Sequence, residues 1–264
     1  MENVPGMLSY RDGWAVKQIM QDFGKAGYPN ISYRILNAAD YGAPQIRKRI
    51  FFVATRKNKI QNMQPQPTHF ENNGLDRKQL DTSSPDYVTV MEAIGDLPHL
   101  SIPEKAKKIK EAIMEYKTDP TCDFQTWARK NSGKVDNNIT RWHRDMDKEI
   151  FAKMKPGDKW ADLSAEDRKR IGYNDDSFND KWKRLPRNRP SHTIVAHLQK
   201  DGYMFIHPTQ NRTISVREAA RLQSFPDSFV FCGGRGSQFR QVGNAVPPLL
   251  ARAVGKTVLR ILQS

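Results

Sequence analysis

A glutamine and two arginines at alternate positions, Gln45-x-Arg47-x-Arg49, open the most chemically suggestive stretch of this chain. Alternate spacing at the start of a strand puts the three side chains on one face. A guanidinium is planar and charged, so it suits a base carbonyl or a phosphate and holds either in a fixed geometry. A strand-edge cluster of cations in ion pairs would have the same pattern. Further along, Lys181, Lys183, Arg184, Arg187 and Arg189 form a basic run suited to phosphates, which supplies affinity but little sequence information. Cys122 and Cys232 stand far apart and belong to no metal-spacing cluster. No metal and no disulfide framework are expected, and the usage fits a reducing cytoplasm.

The chain has 264 residues, with 43 Lys and Arg against 29 Asp and Glu and a net charge of +14. Such an excess attracts polyanions, nucleic acid before an anionic membrane. A lysine-rich solvated surface is the plainer alternative. No apolar run is long enough to span a bilayer, and the first ten residues carry no secretory pattern.

The elements that must position these residues read as follows. Ala15, Ile19 and Phe23 recur at helical spacing, with Gly24 and Gly27 as stops. Ile31, Tyr33 and Ile35 alternate with polar residues, as in a half-buried strand. Arg49 to Thr55, RIFFVAT, predicts a strand buried on both faces. From Arg56 to about Lys183 the chain turns polar and irregular, with a connector over 60–90 and short helices over 104–116 and 145–154. The lysines 105, 107, 108 and 110 read as a solvated helix face. Ser215 to Glu218 is an S-x-x-E capping box before a helix that Phe225-Pro226 ends. A glycine-rich turn over Gly233–Gly236 follows. Pro247-Pro248 then opens a last helix with Leu250, Val254, Val258 and Ile261 on one face.

Four segments, in order, resemble the later motifs of the DNA cytosine-5 methyltransferases. They are Glu2-Asn3-Val4, Asn37 to Thr55 (NAADYGAPQIRKRIFFVAT), Arg189 to Phe229 and Gln241 to Pro248 (QVGNAVPP). Together they cover about half of the chain. In that family a cysteine thiolate adds to C6 of cytosine, and C5 then takes a methyl group from S-adenosylmethionine. Protonation at N3 helps the addition, and the resemblance assigns it to Glu2, whose carboxyl would keep its proton through burial. It further implies that Arg49 holds the target base with Arg47 in support. Gln45 and the 184, 187 and 189 arginines would face DNA. Thr193-Ile194 would touch the backbone around a flipped-out base, with a plain β-branched strand pair as the alternative. Asn244, as a loop residue before the last helix, and Ala245 would touch the donor. Arg217, Glu218 and Arg221 would hold the recognition domain in place.

The resemblance implies an α/β fold: a partial Rossmann-like methyltransferase sheet, made of the last strands and the C-terminal helix, with a separate irregular α+β target-recognition domain. The divisions expected are 1–58 catalytic, 59–235 recognition domain with its hinge helix, and 236–264 returning to the catalytic domain. The family's Pro-Cys-Gln nucleophile and its glycine-rich donor loop are not in this sequence, and neither Cys122 nor Cys232 has the nucleophile's setting. The chain is therefore expected to be a fragment or one half of a split enzyme, inactive alone, with apolar area exposed where the early strands would pack. Duplex DNA and an N-terminal methyltransferase half are the expected partners, in a prokaryotic cytoplasm on the nucleoid. A non-catalytic DNA-binding specificity subunit is the rival. An RNA-binding protein is disfavoured, because no RRM, KH or OB-like aromatic pattern is present.

Overall fold

The computed structural model describes residues 1–56, 63–71, 85–103, 113–172, 181–200 and 202–263. Its sheet has three strands: β1 (Glu2–Asn3), β2 (Asn30–Asn37) and β3 (Lys48–Thr55). The order is β1-β3-β2, and β3 runs antiparallel to both neighbours. The register sets Glu2 opposite Phe51 and Leu36 opposite Arg49. β-Branched and aromatic residues favour an extended, pleated backbone. β3 is buried on both faces as expected, with Ile50, Phe51, Phe52 and Val53 all under a tenth exposed. Each such side chain contributes roughly 1.5–3 kcal/mol of burial.

The two faces of β3 meet different partners. Ile50 and Phe52 pack with Val16, Ile19, Met20 and Phe23 of helix α1 (Trp14–Lys25). Phe51 packs with Leu36, Tyr41 and Leu250, and Val53 with Ile261. Leu250 and Ile261 belong to the last helix, Pro248–Gln263. A helix on each face of a sheet makes this part a mixed α/β layer structure. In β2 the expected burial is reversed: Leu36 is buried, while Tyr33 is 44% and Ile35 40% exposed. Both project on the α1 side, at the free edge of the sheet where that helix does not cover them.

The middle of the chain has its own core. Helix α2 (Val90–Ile94) packs on α3 (Asp123–Arg129). Helices α4 (Asp145–Lys153) and α5 (Ala165–Ile171) enclose a second cluster around Phe151, Trp160 and Trp182. The expected helix over 145–154 is thus present. Of the one expected over 104–116, residues 104–112 and their lysines lie outside the described residues. Met114 is not helical; it pairs antiparallel with Val135.

Helix α6 (Val216–Leu222) starts at the predicted capping box: Ser215 accepts from Glu218 N–H and the Glu218 carboxylate accepts from Ser215 N–H. It stops at Gln223, before Phe225-Pro226. The glycine-rich stretch corrects a further expectation. Gly233 turns the chain, and Gly234 caps a ten-residue helix, α7 (Arg235–Asn244). Phe239 and Val242 of α7 sit in one core cluster with Val90, Ile194, Phe205 and Val216. A boundary at 235/236 would cut through this cluster. The chain rejoins the sheet at Val246, and α8 (Pro248–Gln263) follows.

Candidate active site

Glu2 and Arg49 meet on one face of the sheet. The register places them on neighbouring strands, and the Arg49 Nε lies 3.1 Å from Glu2 Oε1. Burial lowers the Arg49 pKa, and the Glu2 charge opposes that. Glu2 keeps 30% of its side chain exposed. β1 is an edge strand of the described sheet, so Glu2 is partly buried rather than enclosed.

Gln45 and Arg47 lie before β3 and turn away from that pair into the protein. Arg47 is 3% exposed. Its Nη1 donates to Ile194 O at 2.5 Å, and its Nη2 donates to Gly243 O at 3.0 Å and Ala245 O at 3.1 Å. Among the described residues, no carboxylate forms an ion pair with it. Burial, aided by the charge of Arg49 and opposed by Glu2, pushes its pKa down to about 10. Gln45 is fully buried. It donates to Leu222 O at 2.9 Å and to the Gln223 side chain, and its Oε1 accepts from Ile194 N–H at 3.1 Å. The expected single face of Gln45, Arg47 and Arg49 is thus split. Gln45 braces the interior rather than facing DNA, because the chain is not yet in a strand at that point.

Thr193 and Ile194 are drawn onto this same segment. Thr193 Oγ1 donates to Ile46 O at 2.7 Å, and Ile194 is wholly buried. Asn244 is the last residue of α7, not a loop residue, and its side chain is exposed; Ala245 caps the helix and is half-buried. The close approach here depends on Gly243. A Cβ on it would stand 2.4 Å from both Ala196 N and Val195 C. Gln223, which carried no spacing signal, braces the same region from the interior. Its Nε2 donates to Val242 O at 3.0 Å and Ala245 O at 2.7 Å.

The basic run divides by burial. Arg187 and Arg189 are exposed. Arg184 is 6% exposed, and its guanidinium donates to the carbonyls of Phe151, Met154, His207 and Pro208. The expected DNA contact at Arg184 is corrected to a buried brace between α4 and the 207–210 turn.

The residues expected to hold the domains together are wholly interior. Arg221 donates to both oxygens of Asp227, at 2.6 and 2.5 Å, and to Ala93 O at 2.8 Å. Arg217 donates to Asp136 O at 2.8 Å and Phe229 O at 2.8 Å. Burial alone would raise the Glu218 pKa, but Arg212 and His207 outweigh it and hold the group at about 2. Among the described residues, no group of three metal-ligating side chains could hold an ion. Nor is any helix of theirs long and apolar enough to cross a membrane.

Comparison with known proteins bears directly on this arrangement. The model of the C-5 cytosine-specific DNA methylase family matches residues 1–260, and the chain belongs to that family. It is 36% identical over 317 residues to "Putative type II methyltransferase M.OihORF3336P" of Oceanobacillus iheyensis, covering 100% of this chain and 68% of that one. It is 34% identical over 278 residues to the type II methyltransferase M.DdeI of Desulfomicrobium norvegicum, covering 98% and 61%. The crystal structure of a "putative DNA modification methyltransferase encoded within prophage" from E. coli aligns with a TM-score of 0.72 at 25% identity, over all of this chain and 69% of that one. The chain thus spans between three-fifths and seven-tenths of the length of these relatives. The mixed α/β architecture is that of DNA methyltransferases.

The family generally uses S-adenosylmethionine. The exposed Asn244 carboxamide beside half-buried Ala245 and Val246 fits one edge of such a site, a polar group at the margin of an apolar surface.

Proposed function

We propose that this chain is the C-terminal part of a DNA cytosine-5 methyltransferase acting on a flipped-out cytosine in duplex DNA. The observation that carries the reading is the Glu2–Arg49 pair, a carboxyl and a guanidinium side by side at the open edge of the sheet. A cytosine presents N3 and O2 next to each other. A carboxyl group can serve the first and a guanidinium the second. Arg187 and Arg189 supply exposed cations for phosphates, and Thr193, a few residues on in the chain, would serve the distorted backbone. Bound S-adenosylmethionine would supply the methyl group. Asn244 and Ala245 of this chain would hold it and orient it toward the base.

The nucleophile has to come from outside these residues, since no Pro-Cys-Gln occurs among them. An N-terminal half would extend a partial Rossmann-like sheet beside β1. Met1 and Val4 are about half exposed there, as is Leu259 of α8, and Leu262 is 66% exposed. A groove lined by Met1, Phe23, Tyr28, Val53, Val258 and Leu262 runs along the same region. The 59–235 region would then act as the recognition domain, in a cytoplasmic enzyme on chromosomal DNA.

The test is an assay of the purified chain with duplex DNA and methyl-labelled S-adenosylmethionine. No transfer is expected from the chain alone, and transfer is expected on addition of a polypeptide carrying the early motifs. Turnover by the chain alone at the rate of an intact enzyme would refute its dependence on a second half. Duplex binding that never leads to transfer would favour the specificity-subunit alternative.

A further inference from the structure

Two segments that the proposed function assigns to different ligands are joined by buried polar bridges. One is Thr193–Ile194, on the DNA side. The other is Gly243–Ala245, on the donor side. The first bridge is a relay of two carboxamides. Ile194 N–H donates to Gln45 Oε1, Gln45 Nε2 donates to Gln223 Oε1, and Gln223 Nε2 donates to Val242 O and Ala245 O. The second is Arg47, whose guanidinium donates to Ile194 O on one side and to Gly243 O and Ala245 O on the other. Direct packing reinforces both, since Gly243 lies against the backbone of Val195 and Ala196 with no room for a methyl group.

Gln45, Arg47 and Gln223 are all essentially inaccessible to water. If the two segments moved apart, buried carbonyls and carboxamides would lose partners that solvent cannot replace. Moving together leaves every bond intact, and a connected chain of amides strengthens its members. We infer that Gln223 is a positioning residue: with Gln45 and Arg47 it makes the Thr193–Ile194 and Gly243–Ala245 segments one unit, so that holding duplex DNA at the first quiets the second. Gln223 lies on neither segment, and no ligand contact is needed for it to act. The consequence is an order to the chemistry, in which the donor-side segment is held most firmly when DNA is in place. Coupling of this kind, through lost motion rather than altered shape, is read by hydrogen exchange.

The inference rests on the function proposed above, and the experiment separates the two. Backbone hydrogen–deuterium exchange is measured on the full chain, with and without a saturating mixed-sequence duplex at low ionic strength. Duplex is expected to slow exchange of the Gly243, Asn244, Ala245 and Val246 amides about fivefold or more, the lower end for coupled sites. Gln223→Met keeps the length of the side chain but removes both donors and the acceptor. It should bind the duplex with unchanged affinity and lose that slowing. Tyr203→Phe removes a bond to Asp147 in the α4–α5 cluster and controls for general loosening; it should keep the wild-type ratio. Duplex binding by the wild type without slowing at 243–246 overturns the inference alone. So does slowing that survives in Gln223→Met. A wild-type chain that binds no duplex overturns the functional reading and the inference with it. The wild-type comparison needs no substitution, so it is decisive even where Gln223→Met unfolds.

Discussion

Gly243→Ala adds one methyl group where the structure has no room for it. The new Cβ would stand 2.4 Å from Ala196 N, 2.4 Å from Val195 C and 2.6 Å from Ala196 Cα. Carbon atoms rest at about 3.5–4.0 Å, so α7 must retreat by about 1 Å. All three obstacles are backbone, which has no rotamer to escape into. Overpacking of this kind costs about 1–3 kcal/mol. The retreat also stretches the Arg47 bonds to Gly243 O and Ala245 O from 3.0 and 3.1 Å past useful length, at about 1 kcal/mol each or more. Against this, alanine is favoured over glycine within a helix by about 1 kcal/mol. The sum is a loss of about 2–4 kcal/mol. Gly255→Ala in α8 provides the control. It is the same substitution within a helix, but nothing lies within 4 Å of its Cβ. Only the propensity gain acts there, so stability should rise by about 0.5–1 kcal/mol. Urea denaturation reads both through the midpoint, at unchanged slope. A Gly243→Ala protein unfolding at or above the wild-type midpoint would refute the close-packing argument. A Gly255→Ala loss would refute the account of the control.

Three further outcomes follow from the same structure. Replacing Arg187 and Arg189 together by alanine should weaken duplex binding and flatten its dependence on log salt by about 0.9 for each phosphate no longer neutralised. Arg184→Ala should instead lower the denaturation midpoint, and an unchanged midpoint would undo its assignment as a buried brace. His143 accepts from Thr213 N–H at 3.1 Å and is held neutral, chiefly by burial and then by the charge of Arg141, with its pKa down to about 4. The unfolded chain takes up that proton near pH 6.5, so the group's contribution is complete above about 6.5 and lost as pH falls toward 4, about 3 kcal/mol in all. His143→Gln, which keeps an acceptor without the titration, should flatten stability against pH in that window. A slope identical to wild type would show that His143 does not carry it.

Much of the local structure is legible in the order of residues. RIFFVAT has no alternation, and it is the strand covered on both faces. The reciprocal bonds of Ser215 and Glu218 and the proline start of α8 depend on residues within one turn, so spacing suffices to find them. Helix α7 is harder to find. Its glycines at 236 and 243 disfavour a helix locally, and the packing of Phe239 and Val242 in the central core overrides them.

The sequence by itself determined the kinds of chemistry available: a carboxyl next to Asn3, a ladder of guanidinium groups, a Thr-Ile pair, and an amide ahead of two prolines. Four ordered segments were enough to indicate the family. Only the tertiary structure decided which way each group faces. Arg49 turns toward Glu2 at the open edge of the sheet, while Arg47, two residues earlier, turns inward to carbonyls at 194, 243 and 245. Arg184 and Arg187 belong to one basic run, yet one is buried and the other is exposed. Local spacing does not encode these differences, because the partners that settle them come from distant parts of the chain. Gln223 is the clearest case: its role exists only because the fold brings residues 45, 194 and 245 to its two ends.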